Sequence, residues 1–262
     1  MVERTLLVLL VVLVAGCGSL VEGTDSTPTV TPAPVPEPTT TAPSPLPPGV
    51  TGERVADIDA LAEAHVAVLT EDSFTVRTRV VRGNQTGERV LRVETPRRYY
   101  YHDAMILTTG TRTEFIDGAH RYRRTTRGGL YFSRAEPGNV TELYGWALQL
   151  PVRSYLPTGN ATVAETRVDG TRYYEVRLDR ETHPRLDNLR NYTARAVVRS
   201  DGLVRSLEVS YVRSSGGQRV NVTHVTTFGG FGTTTVDPPD WVVDRWQEPG
   251  PDGARSNDTA PG

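Results

Sequence analysis

TARAVVRSDGLVRSLEVSYVRSSGGQRVNVTHVTTF, residues 193–228, decides the fold class. Three strand candidates fill it, at 193–200, 203–213 and 219–228, and Asp201-Gly202 separates the first two. Asp-Gly between two such runs is the turn chemistry of a tight antiparallel hairpin. The same dipeptide stands at 117–118 and 169–170, each time between two candidate strands. Upstream, Phe74, Val76, Thr78 and Val80 alternate with Thr75, Arg77 and Arg79, a period of two. Further strands are predicted at 88–95, 97–103, 105–109, 112–116, 120–126, 162–168 and 171–179. Helical spacing is confined to a few places. Val55, Ile58, Leu61, Ala62, His65, Val68 and Leu69 predict a helix over 53–70, with Glu53, Asp57 and Asp59 where its dipole favours acids. Val140, Leu143, Ala147 and Leu150 predict a second helix over 140–150 that ends before Pro151, and a short third one is expected at 184–190. Ten or so antiparallel strands with two or three helices make an α+β domain over 52–247. Its apolar sheet face needs the helices to cover it.

Outward from that body the sequence changes character. Thr5 to Ala15 is an almost unbroken apolar run of about 11 residues, too short for a bilayer core that needs ~20. Charge, apolar run and small residues in that order describe a secretion signal at 1–16. Val14-Ala15-Gly16-Cys17 resembles the lipobox of prokaryotic lipoproteins, which implies cleavage before Cys17 and a lipid on its thiol. A plain signal peptide or an uncleaved N-terminal anchor is the alternative. Residues 17–51 form a Pro- and Thr-rich tether that lacks the apolar surface to offset the entropy of ordering. As polyproline II it would reach about 100 Å. Residues 248–262 read as a disordered tail. Asn84, Asn139, Asn160, Asn191, Asn221 and Asn257 each stand two residues before a threonine. That excess over chance suggests glycosylation outside the cytosol.

Composition removes several chemistries. All 29 basic residues are arginine, so lysine Schiff-base, P-loop and protein-kinase mechanisms are excluded. One cysteine excludes an internal disulfide framework or a Cys-rich metal site. The five histidines show no metal-ligand spacing, so neither a metal nor a cofactor is expected. There is no Gly-x-Ser-x-Gly elbow, and Gly229-Gly230-Phe231-Gly232 opens onto Thr-Thr-Thr-Val rather than a helix. The carboxylates of Asp57 and Asp59 point in different directions on a helix. No catalytic constellation remains.

Several features together resemble a family of haloarchaeal lipoproteins. They are Cys17 after the lipobox, the tether, the helix ending Ala64-His65-Val66, the meander through Asp201-Gly202-Leu203-Val204, and the closing Pro238-Pro239-Asp240-Trp241-Val242. The resemblance covers most of 13–243. It implies the half-barrel of LolA-like lipoprotein carriers and LppX-like lipid-binding lipoproteins. A half-barrel whose helices leave room beneath them would hold an apolar ligand such as a lipid. The cavity-lining candidates are Leu61, His65, Leu143, Trp146 and Leu150. A non-enzymatic protein on the outer face of the cytoplasmic membrane is then expected. Its class alternative is a structural or interaction protein of the envelope with a filled core.

Charge is unevenly spread. The whole chain carries −2, less acidic than is typical of halophile proteins, yet residues 73–134 hold 13 arginines against five acids. The alternation of Arg77, Arg79, Arg121 and Arg123 with apolar residues predicts a positive sheet face, able to meet an anionic surface partner or remain a solvated face. An exported address argues against nucleic acid.

Overall fold

The computed structural model describes residues 45–247, apart from 107–109, 119, 127–128, 134–138, 184–185 and 216. Strands β2 (Phe74–Arg82), β3 (Gln85–Thr95), β4 (Arg98–Ala104), β5 (Arg112–Asp117), β6 (Arg121–Thr125) and β7 (Gly129–Ser133) form one meander. Helix α2 (Val140–Tyr155) follows. Then β9 (Thr162–Val168), β10 (Thr171–His183), β11 (Leu186–Val198), β12 (Val204–Ser215) and β13 (Gln218–Gly229) form a second. The two meanders meet where β13 pairs with β2. The result is an 11-stranded antiparallel sheet in the order β7-β6-β5-β4-β3-β2-β13-β12-β11-β10-β9, curved and not closed into a barrel. Two short strands, β1 (Arg54–Val55) and β8 (Gly159–Asn160), pair apart from it.

Register assigns every side chain to a face, because directly paired residues point the same way. Phe74↔Val93, Val76↔Leu91 and Val76↔Phe228 put the even positions of β2 on the concave face, with Tyr99 and Tyr101 of β4. Leu207, Val209 and Tyr211 of β12 continue that face through Thr226, His224 and Val222 of β13. Helices α1 (Ile58–Leu69) and α2 cover it, burying Ile58, Leu61, Ala62 and Leu69 from one and Val140, Tyr144, Leu148 and Val152 from the other. Helix α3 (Asp240–Gln247) packs Val242 on the opposite face, against Phe115 and Tyr122.

The helix boundaries differ from the sequence expectation, and each difference has a cause. Helix α1 begins at Ile58, since Asp57 caps it by accepting from the Asp59 and Ala60 N–H groups and Arg54–Val55 is drawn into β1. Helix α2 runs through Pro151 to Tyr155. A mid-helix proline costs about 3 kcal/mol, but the next turn is anchored by the fully buried Val152 and Leu156. The helix expected at 184–190 is absent: residues 186–190 open β11, with Leu189 buried and paired with Arg213 (184–185 lie outside the described residues). The strand expected at 105–109 is not formed by Met105 and Ile106, and 107–109 lie outside the described residues.

One turn shows how α1 is docked. Gly202 of the Asp201-Gly202 turn has φ +98, and a Cβ there would lie 2.6 Å from the Ala64 Cβ. Two residues on, the Val204 N–H donates to His65 Nδ1 at 3.2 Å, and the imidazole edge meets the Phe228 ring at 4.4 Å between centroids. With Nδ1 accepting, the ring proton sits on Nε2, which is buried without a partner. Burial lowers the His65 pKa from 6.5 to about 4. His65 is thus a neutral structural ligand of the sheet.

Candidate ligand-binding groove

The helices leave part of the concave face uncovered. Beyond the C-terminal end of α2, a cavity of about 280 Å³ opens over Val80, Val222, Tyr211 and His224 of the sheet. Met105 and Ile106 form one wall and Tyr155 of α2 another, and Arg82, Arg89 and Arg213 complete the lining. A second cavity of about 130 Å³ shares Arg89, Met105, Tyr155 and His224 with the first, and extends along α2 past Trp146, Leu150 and Pro151. The two form one groove. A wider depression, about 510 Å³ around Thr75, Arg77, Thr227 and Gly229, lies mainly over outward-facing residues of the sheet.

The Met105–Ile106 wall exists because of two residues. Gly87 of β3 faces the groove side opposite Val80, and a Cβ on it would stand 2.6 Å from the Ile106 nitrogen and 2.9 Å from the Met105 Cα. Only a glycine lets the chain cross the sheet so closely. Asp103 then holds the segment: it accepts from the Met105 N–H at 3.0 Å, from the Tyr101 hydroxyl at 2.8 Å and from Arg89 at 3.1 Å. The Arg89 guanidinium lies over the Trp146 ring, 4.5 Å from its centroid.

The groove floor is uncharged. Burial brings the His224 pKa down to about 4 and pushes the Tyr155 hydroxyl up to about 12. His224 Nε2 lies 2.9 Å from the Tyr211 hydroxyl and Nδ1 3.4 Å from that of Tyr155, so the ring is held between two phenols. Cationic rim and apolar floor together suit an amphiphile. Among the described residues, no cluster of His, Cys, Asp and Glu could hold a metal.

The cavity-lining candidates divide. Trp146 and Leu150 line the groove and are 42% and 53% exposed. Leu61 and His65 are fully buried under α1, and Leu143 packs against the core, so these three line neither cavity. Cys17 and Asn257 lie outside the described residues. Asn84, Asn139, Asn160, Asn191 and Asn221 are all exposed, Asn84 in a turn and Asn191 and Asn221 within strands. Asn139 is also the cap of α2, accepting from Thr141 N–H at 3.0 Å.

The expected single positive face is corrected by register. Arg77 and Arg79 pair with Val90 and Glu88 on the convex face, whereas Arg121 and Arg123 pair with Ile116 and Glu114 on the concave one. There Arg112, Arg121 and Arg123 converge on the fully buried Glu114 carboxylate, with the Tyr144 hydroxyl donating at 2.6 Å. Burial opposes the Glu114 charge, but hydrogen bonds from Tyr144 and Arg121 and the charges of Arg112 and Arg121 outweigh it, and its pKa falls below the usual carboxylate value. These arginines serve a buried ion cluster.

Missed from sequence were Arg82, Arg89, Arg213, His224, Tyr155 and Tyr211. A signal existed for the arginines. Arg82 continues the apolar register of Val76, Thr78 and Val80, and Arg213 that of Leu207, Val209 and Tyr211.

No family model and no curated protein matches the chain. Among solved structures it is similar to a LolA-superfamily protein of Nitrosomonas europaea, at 9% identity and a TM-score of 0.24, covering 71% of this chain and 96% of that one. It is also similar to MucB, at 16% identity and a TM-score of 0.25 in a complex with MucA. A second MucA/MucB complex, from Pseudomonas aeruginosa, gives 17% and 0.26. The chain spans 60% of the length of MucB in either complex.

Proposed function

We propose that this chain is a non-enzymatic, lipid-anchored protein of the outer face of the cytoplasmic membrane, which binds or carries an apolar ligand in its concave groove. The observation that supports it is the groove itself. An apolar floor bounded by Tyr155, Met105 and Ile106 stays open where α2 ends, with a volume of about 280 Å³, near the lower limit of ordinary ligand sites, ~300 Å³. Each ligand CH₂ removed from water there contributes about 0.8 kcal/mol, so an acyl chain is held without specific polar contacts. Lipidation of Cys17 would keep the protein at the bilayer from which such a ligand comes, and the Pro- and Thr-rich stretch up to residue 44 would let the domain reach away from it. The tether expected to run to residue 51 is shorter, because Val50 is buried in the core and Gly49 O accepts from the Ala56 and Asp57 N–H groups.

The test is native mass spectrometry of the full-length chain gently extracted from membranes. Co-purified lipid that leaves on exposure to a competing long-chain alcohol supports the reading. A chain that never carries a ligand and does not bind a neutral apolar dye refutes it, and leaves the envelope interaction protein, for which the exposed Trp146 and Leu150 on α2 offer the contact face.

A further inference from the structure

We propose that the groove selects an amphiphile with an oxyanion head, a carboxylate or a phosphate, clasped by Arg82 and Arg213 while its tail lies over His224 toward Trp146. The inference rests on the apolar-ligand reading and adds the chemical class of the head.

The argument begins with charge that has no partner. The groove lining contains three arginines and no acid. Arg89 is paired with Asp103 and stacked on Trp146. Arg82 and Arg213 differ: among the described residues neither pairs with a carboxylate, whereas elsewhere Arg195 pairs with Glu175 and Arg199 with Asp201. The Arg213 Nε is buried without a hydrogen-bond acceptor. A buried unmet donor on a cation is costly, and an oxyanion is what relieves it.

The two arginines are also placed together. Arg82 ends β2 beside Val222, and Val222 pairs in turn with Tyr211, two residues from Arg213 on the same face. The Tyr211 hydroxyl feels both: burial raises its pKa, and the charges of Arg213 and Arg82 pull the other way. From that cationic end the floor runs over Val80 and His224 and between Met105 and Tyr155 to Leu150. An anionic head at one end and an apolar track leading from it match a single-chain amphiphile. A free oxyanion would leave the track empty, and a neutral lipid would leave the arginines unpaired.

The experiment is displacement of Nile red, a neutral apolar dye, from the full-length chain. Competitors are palmitate, palmitoyl-lysophosphatidylglycerol and hexadecanol, with inorganic phosphate alone as a fourth arm. The expected result is that at least one anionic amphiphile displaces the dye at a tenfold or lower concentration than hexadecanol. Palmitate ahead assigns a carboxylate head and the lysolipid ahead a phosphodiester, and either supports the proposal. Arg82→Gln with Arg213→Gln should bring the anionic amphiphiles to within about twofold of hexadecanol measured on the same variant. Arg82→Lys with Arg213→Lys should keep part of the advantage. Should the glutamine pair fail to fold, the wild type decides by salt. Raising it from about 0.01 M to about 1 M shortens screening from ~30 Å to ~3 Å and must shrink the anionic advantage over hexadecanol. Equal displacement by all three amphiphiles at every salt concentration overturns the head-group inference but not apolar binding. Displacement by phosphate alone overturns the amphiphile and makes this a free-oxyanion site. Failure of Nile red and hexadecanol to bind at all overturns the function proposed above.

Discussion

Acidification from pH 6.5 to 4.5 should destabilise the folded domain through two histidines. Burial lowers His65 and His224 from 6.5 to about 4. Above pH 6.5 both states hold these rings neutral, and nothing is lost. Below 6.5 the unfolded chain takes up the protons and the folded one does not, so stability falls by about 1.4 kcal/mol per pH unit for each ring. The loss levels off near pH 4, where the folded rings protonate too. Each histidine therefore removes about 2.5 kcal/mol by pH 4.5, and the pair about 5 kcal/mol, a large part of an ordinary domain's ~5–15 kcal/mol. Glu114, Glu175 and Asp201 have lowered values in the folded state, so they add a loss of their own as the unfolded chain protonates them toward 4.5 and 3.8, and the histidine slope is read in the upper part of the window.

For His65 the cause is geometric as well as dielectric. Protonation would put a hydrogen on Nδ1, against the Val204 N–H that now donates to it. The assay is the urea midpoint at a series of pH values, read as a slope so that a uniformly weaker variant still reports. His65→Asn places an oxygen near the Nδ1 position and cannot titrate. His224→Gln does the same for the Nε2 contact with Tyr211. Each substitution should remove about 1.4 kcal/mol per pH unit from the slope, and the double variant both contributions. A slope between pH 6.5 and 4.5 that His65→Asn leaves intact would refute the assignment of a buried neutral ring.

Four other outcomes follow from the same contacts. Glu114→Gln should cost about 3–5 kcal/mol in chemical denaturation, because it strands Arg112, Arg121 and Arg123 around a site they now neutralise; a loss under 1 kcal/mol would show the cluster to be solvated. Gly87→Val should push the Met105–Ile106 wall off the sheet and abolish Nile red binding before it abolishes folding, and retained dye affinity would contradict the close approach at 2.6 Å. Trp146→Ala should cost no more than about 1.5 kcal/mol, against the ~3–5 kcal/mol of a buried aromatic, while changing which lipid co-purifies; a loss of several kcal/mol without any lipid would speak for a filled core. Cys17→Ser should release the chain from the membrane fraction or leave its signal uncleaved, and unchanged retention with normal cleavage would refute the anchor.

What was legible in the sequence was what a short period records. Asp-Gly turns and alternating residues announced the meanders, and the 3.6-residue spacing of α1 and α2 announced their buried stripes. Length of elements was less legible, because tertiary contacts override local signals. Pro151 says stop, but Val152 and Leu156 have a core to enter, so α2 continues. Residues 184–190 have helical spacing, but the open edge of β12 offers 186–190 a ladder of hydrogen bonds.

The site was the least legible part, for a reason that the arginines make concrete. Alternation tells which residues share a face of one strand, not which face of the sheet that is. Arg77 and Arg121 follow the same local pattern, yet β2 exposes its odd positions on the convex side and β6 turns its odd positions inward to Glu114. Only pairing register fixes the relation between strands. What the single-strand pattern does carry is the exception, an arginine that falls in the apolar phase of its own strand. Arg82, Arg89 and Arg213 are such residues, continuing Val80, Leu91 and Tyr211. A guanidinium on a core-facing phase must find an acid, a stacked ring or open space. Arg89 finds Asp103 and Trp146; Arg82 and Arg213 find open space, and that space is the groove.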